Sequence, residues 1–303
     1  MTRHVAVLMG GWSVEREVSL VTGEAVATTL REQDFQVTTV DVERDLGSAL
    51  EGLGPDVAFN ALHGRFGEDG TVQGLLEILG IPYTHSGVRA SALAMHKPTA
   101  RYLFQAAGLP CAEGGVYARD TVIEGCAMEP PYVIKPLNEG SSVGVTLVFE
   151  GEKNPAGDAP AWRYGAEVLV ERYIPGREIQ VAVMDGRGLG AIEIRPKGRF
   201  YDYDTKYVEG LADHIMPAEL PAADYAEALR ISAAAHKALG CRGVTRADLR
   251  YDDTGAAAAF YLLEINTQPG MTPLSLVPEI AATNGIPFND LVRWMIEDAS
   301  CER

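Results

Sequence analysis

Alternating polar side chains near the C-terminus have the residue types and spacing of a reactive site. Side chains two apart in a strand face the same way, so Arg246 and Asp248 share one face, and Glu264 and Asn266 share another. A hairpin of these two strands would bring both faces together. Three clustered oxygen donors suit Mg²⁺, which keeps several waters and bridges phosphates. The alternative for this spacing alone is a solvated strand face.

Two loops carry groups that could hold anions. Residues 135–144 run from Lys135, at the end of a predicted strand, into a Gly/Ser-rich loop that lets backbone N–H groups approach phosphates. Residues 268–276 are predicted to form a tight loop whose N–H groups could receive an oxyanion or a carboxylate. GxxxxGK[ST] and a full GxGxxG are both absent, which disfavours a Walker-type or nicotinamide site. An ordinary hairpin loop is the alternative for 135–144.

Two further segments are polar enough to serve a site. Residues 201–207 are polar and aromatic and are flanked by Gly198 and Gly210, which is compatible with a lid over an active site or with a plain surface loop. Residues 62–70 carry four ionisable side chains among three glycines, and the alternative there is a simple turn.

The elements that would position these residues begin with alternating strands and helices. Alternation of this kind predicts a doubly wound parallel sheet that binds ligands at the carboxyl ends of its strands. The loops at 10–13 and 63–70 would lie at that edge. The predicted strands cover residues 5–9, 36–41, 56–60 and 81–84, and the predicted helices cover 15–33 and 69–79, the latter capped by Asp69.

After residue 86 the pattern becomes α+β. Two short helices broken at Lys97-Pro98 precede a strand-rich region, and Asp185-Gly186 is a strong hairpin-turn signal. Residues 152–165 are rich in Pro and Gly and are predicted to be a loop. The predicted helices cover 88–96, 98–107, 224–239 and 287–298, and the predicted strands cover 132–135, 144–149, 167–172, 178–184, 189–195, 243–251 and 257–266.

Charge and cysteine usage exclude several classes of protein. The 42 acidic and 26 basic residues give a net charge of −16, which argues against nucleic acid or an anionic membrane surface as partner. The four cysteines show neither a disulfide framework nor a zinc pattern. There is no apolar run of signal-peptide or membrane-span length. We therefore expect a soluble, cytoplasmic protein.

The joint order of these motifs resembles the ATP-grasp superfamily and, within it, the D-alanine–D-alanine ligases. The resemblance covers essentially the whole chain. It rests on residues 10–19, 63–70, 139–144, 201–207, 246–248 and 264–272.

The resemblance implies a doubly wound substrate-binding domain (1–87), a central ATP-grasp domain (88–173) and a C-terminal ATP-grasp domain with the metal site and the lid (174–303). The last two clamp ATP between them. Two D-alanines would be joined through a D-alanyl phosphate, with ADP and phosphate as by-products and peptidoglycan as the destination of the dipeptide. A homodimer is also implied.

Several roles at the nucleotide and metal sites follow from the same resemblance. The residues fall into phosphate-binding lysines, carboxylates that meet adenine and ribose, and ligands of two Mg²⁺ ions, with Mn²⁺ able to substitute. The phosphate-binding lysines are Lys97, Lys135 and the lid residue Lys206. The carboxylates at adenine and ribose are Glu171 and Glu178, and the magnesium ligands are Asp248, Glu264 and Asn266.

The amino-acid site is implied in the same way. Glu15 would receive the first D-alanine's ammonium, with His63 near that substrate, and Ser141 and Tyr207 would link Glu15 to the lid. The oxyanion would be stabilised by Arg246 and the Gly270 backbone, and the second carboxylate would be held by Ser275 and the Leu276 N–H.

Two alternative functions stay open at this point. One is another carboxylate–amine or carboxylate–hydroxyl ligase with a different substrate pair. The other is an ATP-binding regulatory or scaffold protein that has lost catalysis, although Arg246 and the metal ligands are present. The tyrosine at 207 favours a peptide product, since depsipeptide-forming relatives usually carry His or Phe there. The group that deprotonates the attacking amine is not identified by the sequence.

Overall fold

The computed structural model describes residues 2–125, 127–140, 144–151, 165–197, 210–272 and 275–302. The first part folds around a parallel sheet in which residues 5–8 of the central strand are completely buried, as their apolar run predicts. The sheet order is β2-β1-β3. The strands are β1 (His4–Met9), β2 (Gln36–Asp41) and β3 (Val57–Asn60), and the helices are α1 (Arg16–Glu32), α2 (Leu46–Leu53) and α3 (Thr71–Leu79).

The N-terminal part departs from the sequence prediction in three places. Helix α2 was not predicted, although Leu46 and Leu50 are spaced one turn apart and both are buried. Residues 81–84 form no strand; Tyr83 makes single bridges to Ala58 and Ser300. Gly70, not Asp69, is the N-cap of α3, and the Asp69 carboxylate instead accepts the N–H groups of residues 66 and 71.

The middle of the chain forms a four-stranded antiparallel sheet of order β4-β7-β5-β6 with a small core of its own. The preceding helices separate at His96, because Pro98 lies in the first turn of the second helix, where its missing N–H costs nothing. The elements are α4 (Val88–Met95), α5 (Lys97–Ala106), β4 (Gly114–Ala118), α6 (Arg119–Ile123), β5 (Tyr132–Lys135), β6 (Thr146–Val148) and β7 (Glu167–Arg172). The loop predicted at 152–165 lies outside the described residues except for Gly165.

A five-stranded antiparallel sheet of order β10-β9-β8-β11-β12 dominates the C-terminal part. Asp185 and Gly186 turn β8 into β9 with φ values of 51° and 70°, as the hairpin signal predicts. The strands are β8 (Arg177–Met184), β9 (Arg187–Pro196), β10 (Ala212–Ile215), β11 (Val244–Asp252) and β12 (Ala259–Asn266), and the helices are α7 (Ala222–Leu239), α8 (Leu276–Thr283) and α9 (Phe288–Asp298).

The two faces of this sheet are used differently. One packs on α4, α5 and α7 in a continuous apolar core. On the other, Ala182, Ile192 and Val244 join a core that includes Val5 and Phe59 of the parallel sheet. The parallel sheet and the antiparallel sheets confirm the predicted fold class. Of the helices in the described ranges, none is long and apolar enough to cross a membrane.

Candidate active site

The polar face predicted from strand spacing is present in the five-stranded sheet. Arg246 pairs directly with Asn266 across β11 and β12, and Asp248 pairs with Glu264. The Arg246 guanidinium binds both carboxylate oxygens of Asp248, with Nε–Oδ1 and Nη2–Oδ2 distances of 2.7 and 3.0 Å. A bidentate pair of this kind fixes both planes. Arg246 and Asp248 are therefore held in a fixed orientation, with Glu264 and Asn266 at the paired positions of the next strand.

The same face continues onto β8, which the sequence analysis did not foresee. Gln180 pairs with Asp248, and Glu178 pairs with Arg250. Arg250 is anchored by the carbonyls of Ile174 and Gly176, and its Nη1 lies 3.8 Å from Glu178 Oε2. A row of polar groups thus crosses three adjacent strands.

A cavity of about 370 Å³ lies between the four-stranded and five-stranded sheets. Its apolar wall includes Val133, Leu147 and Leu263, which suits a planar ring, and Glu178, Asp248 and Glu264 also border it. The size and the mixed lining suit a nucleotide.

Lys135 and Glu171 meet in this cavity. Lys135 Nζ lies 2.6 Å from Glu171 Oε2, and Arg101 Nε lies 3.2 Å from Oε1. The sequence analysis did not identify Arg101, because its partner lies on a strand seventy residues later. The buried Glu171 carboxylate is therefore held by two cations.

A second cavity of about 90 Å³ adjoins the first. Lys97, Glu139 and Glu264 border both. Lys97 Nζ lies 3.4 Å from Glu264 Oε2 and also donates to the Glu139 carbonyl. The small cavity has room for little more than an amino acid's polar groups. A phosphate-sized group at the junction would face both spaces.

Buried ionisable groups from the parallel-sheet loops line the small cavity. Glu15 and His63 are both about 95% buried. His63 Nδ1 lies 3.1 Å from Glu68 Oε1, and Nε2 lies 3.1 Å from Thr22 Oγ1. Burial, and to a lesser extent the charge of Glu15, raise the pKa of Glu68, while its hydrogen bond to His63 opposes the shift. Two carboxylates at one site suit an ammonium group.

The loop after β12 closes the other side of the small cavity. A Cβ on Gly270 would lie 2.8 Å from Ser275 Oγ and 3.9 Å from His63 Cε1, so the backbone passes close to both. Ser275 Oγ accepts the N–H of Thr272 at 2.9 Å, and Ser275 is the N-cap residue of α8, directly before Leu276. The N–H groups that begin this helix, that of Leu276 included, lack intrahelical partners and therefore favour a carboxylate.

Gln268 ties this loop to the parallel sheet, a link the sequence analysis missed. Its N–H donates to Asn266 Oδ1 at 2.8 Å, and its Oε1 accepts from Asn60 Nδ2 at 2.6 Å. Its Nε2 donates to the Leu62 carbonyl, next to His63. One buried residue, through its backbone N–H and its side-chain amide, therefore connects the cluster on the last sheet with the segment that leads into the loop at 63–70.

The structure thus brings most of the predicted site residues around two adjoining cavities. The larger cavity is bordered by Lys135, Glu171, Glu178 and Asp248. The smaller cavity is bordered by Glu15, His63, Arg246, Asn266, Gly270, Ser275 and Leu276. Both cavities are bordered by Lys97 and Glu264. Ser141, Lys206 and Tyr207, with the predicted lid at 201–207, lie outside the described residues.

Asp248, Glu264 and Asn266 have the chemistry of a magnesium site. Two carboxylates and one amide oxygen are hard donors on adjacent strands, and the remaining positions of Mg²⁺ would belong to water and phosphate. Within the described ranges, no cluster of three or more His, Cys, Asp or Glu side chains could hold a metal. The residues therefore fit a cation that is shared with a phosphate ligand.

Two family models match the chain, "D-ala D-ala ligase N-terminus" over residues 42–86 and "D-ala D-ala ligase C-terminus" over residues 103–297. A D-alanine–D-alanine ligase of Parvibaculum lavamentivorans is 57% identical over 99% of both chains. One from Paramagnetospirillum magneticum is 56% identical over the full length of both.

Solved structures agree with these matches. The D-alanine–D-alanine ligase of Bacillus anthracis complexed with ATP has a TM-score of 0.82 and 32% identity, covering 98% of this chain and 97% of that one. The VanG D-Ala:D-Ser ligase of Enterococcus faecalis has a TM-score of 0.81 and 28% identity, covering 98% and 99%.

Proposed function

The chain belongs to the D-alanine–D-alanine ligase family, and from that membership we propose how its own residues carry out the ATP-dependent joining of two D-alanines. The observation that carries the assignment of residues is the junction of the two cavities at Lys97 and Glu264. It lets the γ-phosphate of a nucleotide in the larger space meet a carboxylate in the smaller one.

ATP binds between the two antiparallel sheets. The adenine lies against the apolar wall, with Glu171 near the base and Glu178 at the ribose, and Lys97 and Lys135 contact the phosphates. Lys135 already pairs with Glu171 at 2.6 Å, so its ammonium is held in place before phosphate arrives. Such preorganisation supports the proposed contact of Lys135 with a phosphate.

The first D-alanine places its ammonium on Glu15, with His63 beside it. Its carboxylate oxygen attacks the γ-phosphorus, the bond from that phosphorus to the β–γ bridging oxygen breaks, and ADP leaves, which makes an acyl phosphate. A poor acyl donor thereby gains a good leaving group. Asp248, Glu264 and Asn266 would hold the magnesium, which supplies neutralising charge to the phosphates when bound.

The second D-alanine places its carboxylate on Ser275 and the Leu276 N–H. Its amine attacks the acyl carbonyl, and Arg246 and the Gly270 N–H stabilise the oxyanion until inorganic phosphate leaves. Both ring nitrogens of His63 are engaged, by Glu68 and Thr22, which supports a positional role for that ring.

Further parts of the proposal rest on the sequence. Lys206 would contact the γ-phosphate from the lid, and Ser141 and Tyr207 would connect the lid to Glu15. We also propose domain limits at 1–87, 88–173 and 174–303, a homodimer, and a cytoplasmic location, where ATP is available. Mn²⁺ would substitute for Mg²⁺.

Phosphate release with D-alanine, L-alanine, D-serine and D-lactate tests the substrate assignment. Turnover with D-alanine alone, and identification of D-alanyl-D-alanine by mass spectrometry, is the expected result. D-Serine is included because the Enterococcus D-Ala:D-Ser ligase has the same fold. A mixed product as the main species would change the substrate pair, and absence of turnover with every substrate would favour a non-catalytic ATP-binding protein.

A further inference from the structure

Gln180 is a buried glutamine on the reactive face of the five-stranded sheet. Its side chain has no solvent exposure, and it lies opposite Asp248 in the neighbouring strand. It borders the small cavity together with Arg246 and Glu264. Fully buried glutamines are uncommon because both ends of the amide need partners.

Among the described residues, one end of this amide has a partner and the other end has none. Gln180 Nε2 donates to Glu178 Oε1 at 3.2 Å. An ionised carboxylate only accepts, so the amide is fixed with Nε2 toward Glu178 and Oε1 away from it. Within the part of the chain that the structure describes, no donor reaches Gln180 Oε1. Burying an acceptor without a donor is unfavourable, which indicates that a bound molecule supplies the donor.

The position of Gln180 limits what that molecule can be. The residue lines the small cavity, but its two neighbours line the larger one: Glu178, which we place at the ribose, and Asp248, which we place at the cation. Both neighbours would bring an O–H donor to this point, either a ribose hydroxyl or a water bound to the cation. Glu178 in turn is approached by Gln180 on Oε1 at 3.2 Å and by Arg250 on Oε2 at 3.8 Å, and both contacts favour one orientation of its carboxylate before nucleotide binds.

We propose that Gln180 is a positioning residue for the nucleotide, which orients Glu178 through Nε2 and accepts an O–H group of the bound nucleotide–magnesium complex at Oε1. The proposal rests on the ribose role proposed above for Glu178. The chemistry shared by the two donor sources is a hydroxyl or water hydrogen directed at an amide oxygen.

Gln180→Met tests the proposal, because methionine has a similar volume but neither donor nor acceptor. We expect the Kd of a non-hydrolysable ATP analogue with Mg²⁺, measured by calorimetry, to rise about tenfold, as for loss of one hydrogen bond to a charged group. KM for ATP should rise in parallel, with little change in kcat. Tm should stay level or increase, because the unpaired acceptor is gone. A lower Tm with unchanged Kd would show a merely structural residue and overturn the proposal.

Gln73→Met is the matched control. Gln73 is also buried, and its Oε1 also has no donor among the described residues, but it borders neither cavity. Its Nε2 donates to the Gly67 carbonyl. We expect the same relief of an unpaired acceptor and no change in nucleotide Kd. An equal rise in Kd for Gln73→Met would contradict a specific role of Gln180 in nucleotide binding.

Glu178→Gln and deoxynucleotides distinguish the proposed role of Gln180 from the proposed contact of Glu178 with the ribose. If Glu178→Gln leaves Kd unchanged, and the wild type binds 2′- and 3′-deoxy analogues as tightly as the parent, the ribose role of Glu178 fails. If Glu178→Gln weakens binding but Gln180→Met does not, only the role of Gln180 fails. A Gln180→Met penalty that disappears with one deoxy analogue supports a hydroxyl donor. A penalty that persists with both, together with weaker Mn²⁺ binding by electron paramagnetic resonance, supports a cation-bound water.

Discussion

Replacing Gly64 with alanine should displace the carboxylate that we assign to the first substrate's ammonium. Gly64 has φ +70°, and a Cβ there would lie 2.5 Å from Glu15 Oε2 and 3.3 Å from Ser13 Oγ. Carbon and oxygen need about 3.4 Å, so the carboxylate must move by roughly 1 Å. A misplacement of about 1 Å in a positioning group costs about 100-fold in rate. We expect kcat/KM for D-alanine to fall by about that factor.

Gly80→Ala isolates the effect of backbone strain. Gly80 has φ +66°, but a Cβ there would have nothing within 4 Å. An L-residue in the left-handed region costs about 1–2 kcal/mol, so both variants should lose a similar free energy of unfolding. Only Gly64→Ala should lose activity with D-alanine.

Steady-state kinetics at saturating ATP, calorimetry with a non-hydrolysable ATP analogue, and urea unfolding measure these effects. The nucleotide Kd should stay within about twofold of wild type in both variants, because Gly64 lies on the amino-acid side. Equal kcat/KM for D-alanine in the two alanine variants would refute the assignment of Glu15 to the ammonium. Weaker nucleotide binding in Gly64→Ala alone would show that the loop shift reaches the larger cavity.

Three further perturbations test other parts of the structure. Glu264→Gln removes a charged oxygen from the proposed magnesium ligands and also the charge that pairs with Lys97. The Mg²⁺ concentration for half-maximal activity should therefore rise about tenfold or more. An unchanged Mg²⁺ dependence would exclude this residue as a ligand. Arg246→Lys loses the bidentate contact with Asp248 and an oxyanion donor, so kcat should fall about 100-fold in the phosphate-release assay, and a preserved kcat would contradict the role. Burial lowers the pKa of His236 from 6.5 to about 4. Between these two pH values the unfolded chain binds a proton at this residue and the folded protein does not, so the free energy of unfolding falls as the pH drops from 6.5 towards 4. Urea unfolding should show a loss of about 2 kcal/mol between pH 7 and 5 that is absent in His236→Gln; an identical pH dependence would place the titration elsewhere.

The sequence predicted those parts of the site that depend on local periodicity. The pairing of Asp248 with Glu264 follows from two strands joined by a short turn, and the structure has that register. The predicted role of His63 came instead from the resemblance to the ligase family, and the structure places this residue on the small cavity.

Contacts between distant segments could not be predicted in this way. Gln180 reaches the site only because β8 pairs with β11, seventy residues later, and no alternation within either strand specifies its neighbour. Strand β4 was missed because its glycines lack the β-branched pattern that marks a strand. The two glycines of α2 concealed a helix whose leucines are nonetheless correctly spaced.

The four-stranded sheet has its own small core, formed by residues such as Val122, Ile134 and Val170, whereas the parallel sheet and the five-stranded sheet share one apolar cluster. Because its core is separate, we expect this four-stranded sheet, which covers the proposed nucleotide site, to tilt as one body while the small cavity keeps its shape. ADP would then leave when the four-stranded sheet tilts, without unfolding of the five-stranded sheet. We expect native-state amide hydrogen exchange to be fastest in the four-stranded sheet, and we expect bound nucleotide to slow exchange there first.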